Sequence, residues 1–569
     1  MEHALPGGAL PDQSGAGAIS CSRLAVIAIA TGAILRLALF LERPSLWLDE
    51  AMVALNVGRH SFAELTTPLD WEQLAPVPWL WLEKLIVVLG GMHEWALRAP
   101  ALAGGIALPW LVWAAGRRLV GEPAALIATV LAASSATLLY YANETKPYAL
   151  DAAVTALLLL LAASVVGRQD DHRSWWAIGI VGVLAVLMSF PAVLVVGGIG
   201  LALASDALLR RHGSNLRRLV GWGVVWVTAF AVPQLLVYRP AASIADMPDY
   251  WRPAMAQFGT PGVVGRIVQA VTEVRSTVLA ATIWPETEYF LLLVLLGAWM
   301  VWRRGGTAPA LILTGPLLLT AVAWLIDQLP ANHRLTLFLA PVIALLLGAA
   351  LAGMLDRLPR SWRSAGVAFC VLLVLGAVVS EIPTGLWLRK PSGGRDLAAA
   401  VQAGDPAPLW LTGASAPVWL VYSTDWSRPD TQRLDWFAAM LGSGGPVHRR
   451  NADAAARQPS ESLSRAGGPR GLEVLARPSG LRVDIDGAAP GGPSPVWAEQ
   501  EAARIAALAG RGAWVLMAHE RVVERDALLK AISALPIGID IVVGEKSGKL
   551  WWVIDTTPST DPPRAVAGP

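Results

Sequence analysis

The 569-residue chain has few charged residues and only two cysteines. Charged side chains make up 15% of the sequence, whereas soluble domains carry about 25%. With 54% hydrophobic residues, this composition excludes an ordinary soluble enzyme and a disordered scaffold. Two cysteines cannot build a disulfide framework or a thiolate zinc site. The net charge is +2, so there is no basic surface of the kind that binds nucleic acid, and no nucleic-acid partner is expected.

The sequence does contain a series of long apolar runs separated by short loops. Crossing the hydrocarbon core of a membrane takes about 20 apolar residues. Runs of about this length predict eleven transmembrane helices, at 22–41, 99–116, 123–141, 147–166, 174–188, 191–209, 219–237, 286–302, 308–326, 334–355 and 364–380. The 174–188 run is short and ends in Ser189-Phe190-Pro191, which predicts a tight hairpin with the next run.

Residues 76–90 are apolar but too short to span a membrane comfortably, and Glu83 and Lys84 lie in their middle. Basic residues concentrate in short cytoplasmic loops. If 76–90 lies on the membrane surface, the later arginine clusters all face the cytoplasm. We therefore predict an interfacial amphipathic helix at 76–90 and a cytoplasmic N-terminus. The predicted outer segments are 42–98, 142–146, 238–285 and everything after about 381.

The sequence divides into a disordered cytoplasmic tail at 1–21, a membrane domain at 22–380 and an extracytoplasmic (periplasmic) domain at 381–569. The last part contains no apolar run of membrane length. It alternates apolar strands at 408–412, 513–517 and 550–554 with helical patterns at 395–403, 497–509 and 522–533. This alternation predicts a small α/β domain, with a long loop in the Gly/Pro/Ser-rich tract around 456–495.

Two short acidic motifs lie at the predicted outer face. Asp49 and Glu50 follow the first span in LWLDEA, and Glu144 lies in the turn NETKPY after the third span. Each motif alone has an ordinary structural explanation, as a solvated loop start or as a carboxylate near the positive end of the next helix. Their occurrence on one face, both beside apolar spans, favours a catalytic site.

These motifs resemble those of GT-C superfamily membrane glycosyltransferases. Five segments follow one another in the order of the bacterial branch, which is related to protein O-mannosyltransferases and the lipid A aminoarabinose transferase. They are LWLDEA (46–51), PVPWLWLEKL (76–85), LRAPAL (97–102), YYANETKPYAL (140–150) and HRLTLFLAPVIALLL (333–347). The resemblance covers roughly 22–380. It implies an α-helical polytopic membrane protein with about eleven transmembrane helices, juxtamembrane helices and the small C-terminal α/β domain.

The implied activity is transfer of a sugar from a polyprenyl-phosphate donor to an envelope acceptor, at the outer face of the cytoplasmic membrane and among its lipids. Asp49 matches the family's catalytic Asp, the expected general base for the acceptor hydroxyl, and Glu50 and Glu144 are expected to be catalytic residues with it. Glu144 matches the second acidic position, which in some members helps to bind a metal. A divalent metal, Mg²⁺ or Mn²⁺, with Asp49 and Glu144 as its ligands is therefore an expectation that comes from the resemblance.

The departing polyprenyl phosphate is anionic, so cations must hold it. The candidates for donor phosphate binding are Arg334, Lys146, Arg98 and Lys84, with Arg334 first because it opens a late helix and matches the family position. In an inverting displacement the base and the leaving group lie on opposite faces of the sugar, so these cations are expected to lie apart from Asp49. The residues expected to line the substrate site are Trp47, Tyr148, His60 and His333.

A polytopic transporter or flippase of lipid-linked envelope components is the main alternative. Carriers usually place ionisable residues near the bilayer centre, whereas the predicted spans here contain few acids. Arg36 lies inside the first span, one turn from its outer end. A charge inside a span indicates a functional residue by default, and the alternative is that Arg36 extends toward the interface. The acids at the outer surface favour interfacial chemistry over transport.

Overall fold

The computed structural model describes residues 21–71, 73–166, 171–244, 265, 289–326, 328–330, 333–359, 361, 393–403, 409–412, 415–429, 434, 474–477, 495–508, 512–518, 522–545 and 548–555. The predicted tail up to residue 20, the predicted span 364–380 and most of the predicted outer loop 238–285 lie outside these residues.

The described membrane part is helical. Its helices are α1 (Cys21–Leu41), α2 (Leu48–Arg59), α3 (Val77–Gly90), α4 (Glu94–Leu119), α5 (Glu122–Ser134), α6 (Ala136–Tyr141), α7 (Tyr148–Val165), α8 (His172–Met188), α9 (Ala192–Leu209), α10 (Gly213–Pro233), α11 (Arg239–Ile244), α12 (Tyr289–Gly305), α13 (Thr307–Leu325) and α14 (Ala340–Arg357). Short 3₁₀ turns lie at Glu64–Thr66 and His333–Leu339, and a π turn lies at Gln234–Tyr238. Within the described residues, seven helical segments are long and apolar enough to cross a membrane. The predicted polytopic helical fold is therefore confirmed, as is the break between α8 and α9.

Small residues let the helices of the bundle approach closely. Where α9 crosses α13, a Cβ added at Gly198 would lie 2.4 Å from the backbone nitrogen of Pro316. Where α14 crosses α5, a Cβ added at Gly348 would lie 2.2 Å from the carbonyl oxygen of Ala124. Lipid provides no hydrophobic driving force between helices, so close backbone packing of this kind stabilises their association.

The predicted span 123–141 is not one continuous helix. At Ser135 the backbone leaves the helical conformation, with ψ at 122°, and the Ser135 hydroxyl caps α6. The last carbonyl groups of α5 then need donors that lipid cannot supply. Arg36 of α1 is fully buried and donates to the carbonyls of Ala132 (3.0 Å) and Ala133 (2.9 Å). The alternative that Arg36 extends toward the interface is therefore wrong, because the end of α5 binds it inside the bundle.

The 76–90 segment forms α3, as predicted, and its two faces differ. Trp79, Glu83 and Val87 are buried on one face. The other face exposes apolar side chains, those of Trp81, Leu85, Val88 and Leu89. An exposed apolar face suits a helix at the membrane interface, and that location stays a prediction.

The C-terminal region forms a mixed sheet with helices, which confirms the predicted α/β class. Its elements are α15 (Gly394–Ala403), β1 (Leu409–Thr412), α16 (Ala416–Ser423), β2 (Val474–Arg477), α17 (Pro495–Leu508), β3 (Ala513–Ala518), α18 (Val522–Ser533), β4 (Ile537–Glu545) and β5 (Gly548–Asp555). The strand order is β2-β1-β3-β5-β4. Strand β1 runs parallel to β2 and β3, whereas β5 runs antiparallel to β3 and β4.

Two strands correct the sequence analysis. Strand β2 lies inside the tract 456–495 that was predicted to be a loop. Strand β4 was not predicted, although Ile537, Ile539 and Ile541 alternate with other residues in the pattern of a strand. A separate apolar cluster joins α2 and α3 to α15 and α16. The C-terminal region therefore packs against the helix that carries Asp49.

We expect Arg36→Met to lower the free energy of unfolding by about 2–6 kcal/mol, because two buried carbonyl groups at the end of α5 would lose their donors at about 1–3 kcal/mol each. Denaturation with SDS in mixed micelles measures this change. Leu37→Met, which alters an exposed side chain of the same helix, serves as the control. A stability of Arg36→Met equal to that of the control would contradict this role of Arg36.

Candidate active site

The two acidic motifs meet at the side chain of Glu50, which is 2% exposed. Arg98 donates from Nε to Oε1 at 2.8 Å and from Nη2 to Oε2 at 2.7 Å. Thr145 donates its backbone N–H (2.8 Å) and its hydroxyl (3.1 Å) to Oε1. The N–H of Trp47 donates to Oε2 at 2.9 Å. The structure therefore brings the LWLDEA and NETKPY motifs into direct contact, and their location at the outer face stays a prediction.

Electrostatics keep Glu50 charged despite its burial. Desolvation raises the pKa of Glu50, but Arg98 and the backbone N–H donors of Trp47 and Thr145 outweigh it, so that the pKa lies below its usual value. Arg98 also donates to the carbonyl oxygens of Pro44 (2.7 Å) and Ser45 (3.3 Å). Glu50 and Arg98 together therefore connect the start of α2, the chain before it and the 142–146 turn.

Asp49 forms an ion pair with Arg334, whose Nη1 lies 2.9 Å from Oδ2. The Asp49 side chain is 24% exposed and that of Arg334 is 23% exposed, so small molecules can reach the pair. Arg334 lies in the 3₁₀ turn that precedes α14, 285 positions away in the sequence. The expectation that the phosphate-binding cations lie apart from Asp49 is therefore wrong for Arg334.

Glu144 is buried in the turn that Glu50 anchors. Its side chain is 5% exposed, and its Oε2 has no hydrogen-bond partner among the described residues. Desolvation is the main cause that raises the pKa of Glu144 to about 8. The negative charges of Glu50 and Asp49 add to this shift, while Lys146 and Arg334 oppose it. Glu144 is therefore largely protonated at neutral pH.

The other predicted phosphate-binding cations have different surroundings. Arg98 is bound to Glu50, as described above. Lys146 donates to Gln73 Oε1 at 2.9 Å, and burial lowers its pKa. Lys84 donates to the carbonyls of Val57 (2.9 Å) and Gly58 (3.3 Å) at the C-terminal end of α2. That end lies about 12 Å from Asp49 along the helix axis at 1.5 Å per residue, so the structure does not bring Lys84 to Asp49.

The predicted lining residues are divided between the two ends of α2. Trp47 lies two residues before Asp49, and the half-buried Tyr148 packs edge-to-face on Tyr141 with ring centroids 5.2 Å apart. His60 lies at the far end, where its Nε2 is 3.1 Å from Oδ2 of Asp70. The backbone of His333 begins the 3₁₀ turn before Arg334, and its side chain lies outside the described part.

Glu83 is a buried acid that the sequence analysis did not place at the site. Both of its carboxylate oxygens are buried without a hydrogen-bond partner among the described residues. Burial raises the pKa of Glu83 well above its usual value, and the charge of Glu50 adds to the shift. The signal for Glu83 in the sequence is an acidic residue within an apolar helical segment.

Asp49 and Glu144 as arranged do not fit a metal site. Arg334 already binds the Asp49 carboxylate, and Arg334 and Lys146 add positive charge close to Glu144. Among the described residues, no group of three or more His, Cys, Asp or Glu side chains could hold a metal ion.

One protein family matches part of this chain. The sequence model of the family described as dolichyl-phosphate-mannose-protein mannosyltransferase matches residues 75–236. This match confirms the resemblance to GT-C glycosyltransferases over that part of the chain, and it supports glycosyltransferase as the enzyme class. The matched part includes Glu144 but neither Asp49 nor Arg334. No curated protein matches the chain significantly.

Two solved membrane enzymes are similar to the chain at low identity. ArnT from Cupriavidus metallidurans bound to undecaprenyl phosphate shows 17% identity and a TM-score of 0.47, over 96% of this chain and all of that one. The Archaeoglobus fulgidus oligosaccharyltransferase complexed with zinc and sulfate shows 14% identity and a TM-score of 0.44, over 70% of this chain. The chain spans about 60% of the length of that oligosaccharyltransferase.

We expect the stability of the protein to fall as the pH rises through the window between about 4.5 and about 8. In the folded state the pKa of Glu144 is about 8, so the buried carboxyl keeps its proton throughout this window. In the unfolded state the carboxyl of Glu144 loses its proton in the same window. The folded state therefore binds more protons, and raising the pH favours unfolding. Thermal unfolding between pH 5 and pH 8 tests this, and Glu144→Gln should show a smaller decrease. Equal decreases in the two proteins would contradict the raised pKa.

Proposed function

We propose that this protein transfers a sugar from a polyprenyl-phosphate donor to a hydroxyl of a glycan, lipid or protein acceptor, with inversion at the anomeric carbon. The ion pair between Asp49 and Arg334 carries this proposal. The pair is a carboxylate and a guanidinium side by side, each partly exposed. A carboxylate can act as a general base, and a guanidinium binds phosphate through paired hydrogen bonds.

The chemistry needs one base and a stabilised leaving group. The acceptor oxygen attacks the anomeric carbon, and its proton passes to Asp49. The bond between the anomeric carbon and the phosphate oxygen breaks, and its electron pair leaves with the polyprenyl phosphate. Asp49 can accept this proton as a carboxylate, the form in which it pairs with Arg334. The guanidinium of Arg334 stabilises the departing phosphate.

The contact between Asp49 and Arg334 favours an order of binding. The donor phosphate competes with the Asp49 carboxylate for the same guanidinium, because both anions match its planar fork. When the phosphate binds Arg334, the ion pair opens and the guanidinium moves away from Asp49 with the phosphate. Inversion requires this separation, because the base and the leaving group lie on opposite faces of the sugar. The Asp49 carboxylate then becomes available to the acceptor hydroxyl. We therefore infer that the donor binds first and thereby releases the base.

The neighbouring acids take supporting roles in this proposal. Five donated hydrogen bonds occupy Glu50, so we assign it to positioning rather than to proton transfer. The raised pKa of Glu144 favours its protonated form, which can donate a hydrogen bond to a sugar or phosphate oxygen. Lys146 contributes positive charge close to Glu144.

We place the site at the outer face of the cytoplasmic membrane, since the arginine-rich loops then face the cytoplasm. Labelling of a cysteine placed at the exposed Glu64 from the outer side of intact cells tests this assignment.

A carrier is less well supported, because the intramembrane Arg36 binds helix carbonyls instead of a second charged group.

The central experiment separates donor binding from sugar transfer. We expect Asp49→Asn to lower transfer by about 100-fold or more, the usual contribution of a general base. Its affinity for undecaprenyl phosphate should be kept or increased, because Arg334 loses its competing carboxylate. Arg334→Met should weaken undecaprenyl phosphate binding by about tenfold or more, equivalent to about 1.4 kcal/mol.

Mass spectrometry of products formed in membrane vesicles measures transfer, and a radiolabelled lipid measures binding. Arg428→Met, which alters an exposed arginine of the C-terminal region, is the control for loss of positive charge. Undiminished transfer by Asp49→Asn would exclude Asp49 as the base. Undiminished lipid binding by Arg334→Met would exclude Arg334 as the phosphate-binding residue.

A further inference from the structure

The segment that leads from α1 into the Asp49 turn has an unusual backbone conformation. Residues 43–46 connect the two helices, and Arg43 has φ of 48°. A positive φ is uncommon for a residue other than glycine. Such a conformation persists only where surrounding contacts hold it.

Two residues of the C-terminal region bind the backbone of this segment. The hydroxyl of Tyr422 in α16 accepts the N–H of Leu46 at 2.7 Å. Arg395 in α15 donates from Nη2 to the carbonyl of Arg43 at 2.7 Å, and its own N–H donates to the Ser45 hydroxyl at 3.2 Å. The conformation of residues 43–46 therefore depends on side chains about 350 positions away in the sequence.

Glu94, the first residue of α4, connects these side chains. Its carboxylate is 2% exposed and accepts from Tyr422 at 2.8 Å, from Nε of Arg395 at 3.0 Å and from Nε of Arg43 at 2.9 Å. Loss of one donor to a buried carboxylate is costly, because the remaining charge is left incompletely compensated. The start of α4, the segment 43–46 and the C-terminal region are therefore fixed relative to one another.

Apolar packing supports the same contact at both ends of α2. Leu46 is buried in the cluster that contains Leu397 and Trp419 of the C-terminal region. At the other end, a Cβ added to Gly58 would lie 2.4 Å from the ring of Trp426. The C-terminal region therefore packs both against the residue that leads into α2 and against the C-terminal end of that helix.

We propose that Tyr422 and Arg395 are positioning residues for sugar transfer, and that the C-terminal domain thereby sets the geometry of the active site. They hold residues 43–46, and Asp49 follows three residues later. A displacement of about 1 Å in a reacting group can cost about 100-fold in rate. The proposal rests on the proposed function for its effect on rate, but not for its effect on structure.

Tyr422→Phe tests the proposal because it removes the hydroxyl and keeps the ring. We expect the Leu46 amide to exchange its hydrogen about tenfold faster or more, because its acceptor is lost. We expect transfer in membrane vesicles to fall about tenfold or more. The affinity for undecaprenyl phosphate should stay within about twofold, since Arg334 is untouched. A purely structural role would lower binding and transfer together.

Tyr238→Phe is a matched control, because the Tyr238 hydroxyl accepts the N–H of Val77 at 2.9 Å. It should speed exchange at Val77 and leave Leu46 protected. A protected Leu46 amide in Tyr422→Phe would overturn the proposal, as would parallel losses of transfer and lipid binding. Sugar transfer by Asp49→Asn would contradict the proposed function and not the positioning role. In that case hydrogen exchange at the Leu46 amide would still show whether Tyr422 holds residues 43–46.

Discussion

The buried carboxylate of Glu50 is the interaction on which the site depends. It binds Arg98 of α4, Thr145 of the turn before α7 and the backbone of Trp47. An unpaired charge at this depth would be costly, so the three segments must meet for the carboxylate to be stable. Because Glu50 is fixed, the adjacent Asp49 is held at the edge of the bundle, where Arg334 reaches it.

Contacts elsewhere in the helical bundle and in the C-terminal region hold the segments that meet at Glu50. Close helix packing and the Arg36 contacts satisfy the backbone where α5 ends inside the membrane part, which allows the chain to turn toward residues 142–146. The C-terminal region holds residues 43–46 through Tyr422 and Arg395. The burial that raises the pKa of Glu144 follows from the same convergence of segments. The protonation state of the acidic residues at the site therefore depends on how deeply the packing of these segments buries them.

Hydropathy and motif order predict the helical membrane fold, the α/β class of the C-terminal region and the shared face of the two acidic motifs. These properties follow from local patterns that a single sequence displays. The break at Ser135 was not predictable, because the donor that makes it tolerable, Arg36, lies on another helix. The contact of Arg334 with Asp49 and that of Tyr422 with Leu46 join distant positions. Hydrophobic periodicity in a sequence does not indicate which distant residues contact each other, because such contacts depend on tertiary packing.

The most direct test of the role of Glu50 is the hydrogen exchange rate of the Thr145 amide, which donates to Glu50 at 2.8 Å. Glu50→Gln removes the negative charge of the side chain. It also leaves one amide oxygen to accept the hydrogen bonds that the two carboxylate oxygens of Glu50 accept. We expect exchange at Thr145 to rise about tenfold or more, while amides within α9 keep their rates. A Thr145 amide that stays as protected as in the wild type would contradict the account, because the two motifs would then be held together without Glu50.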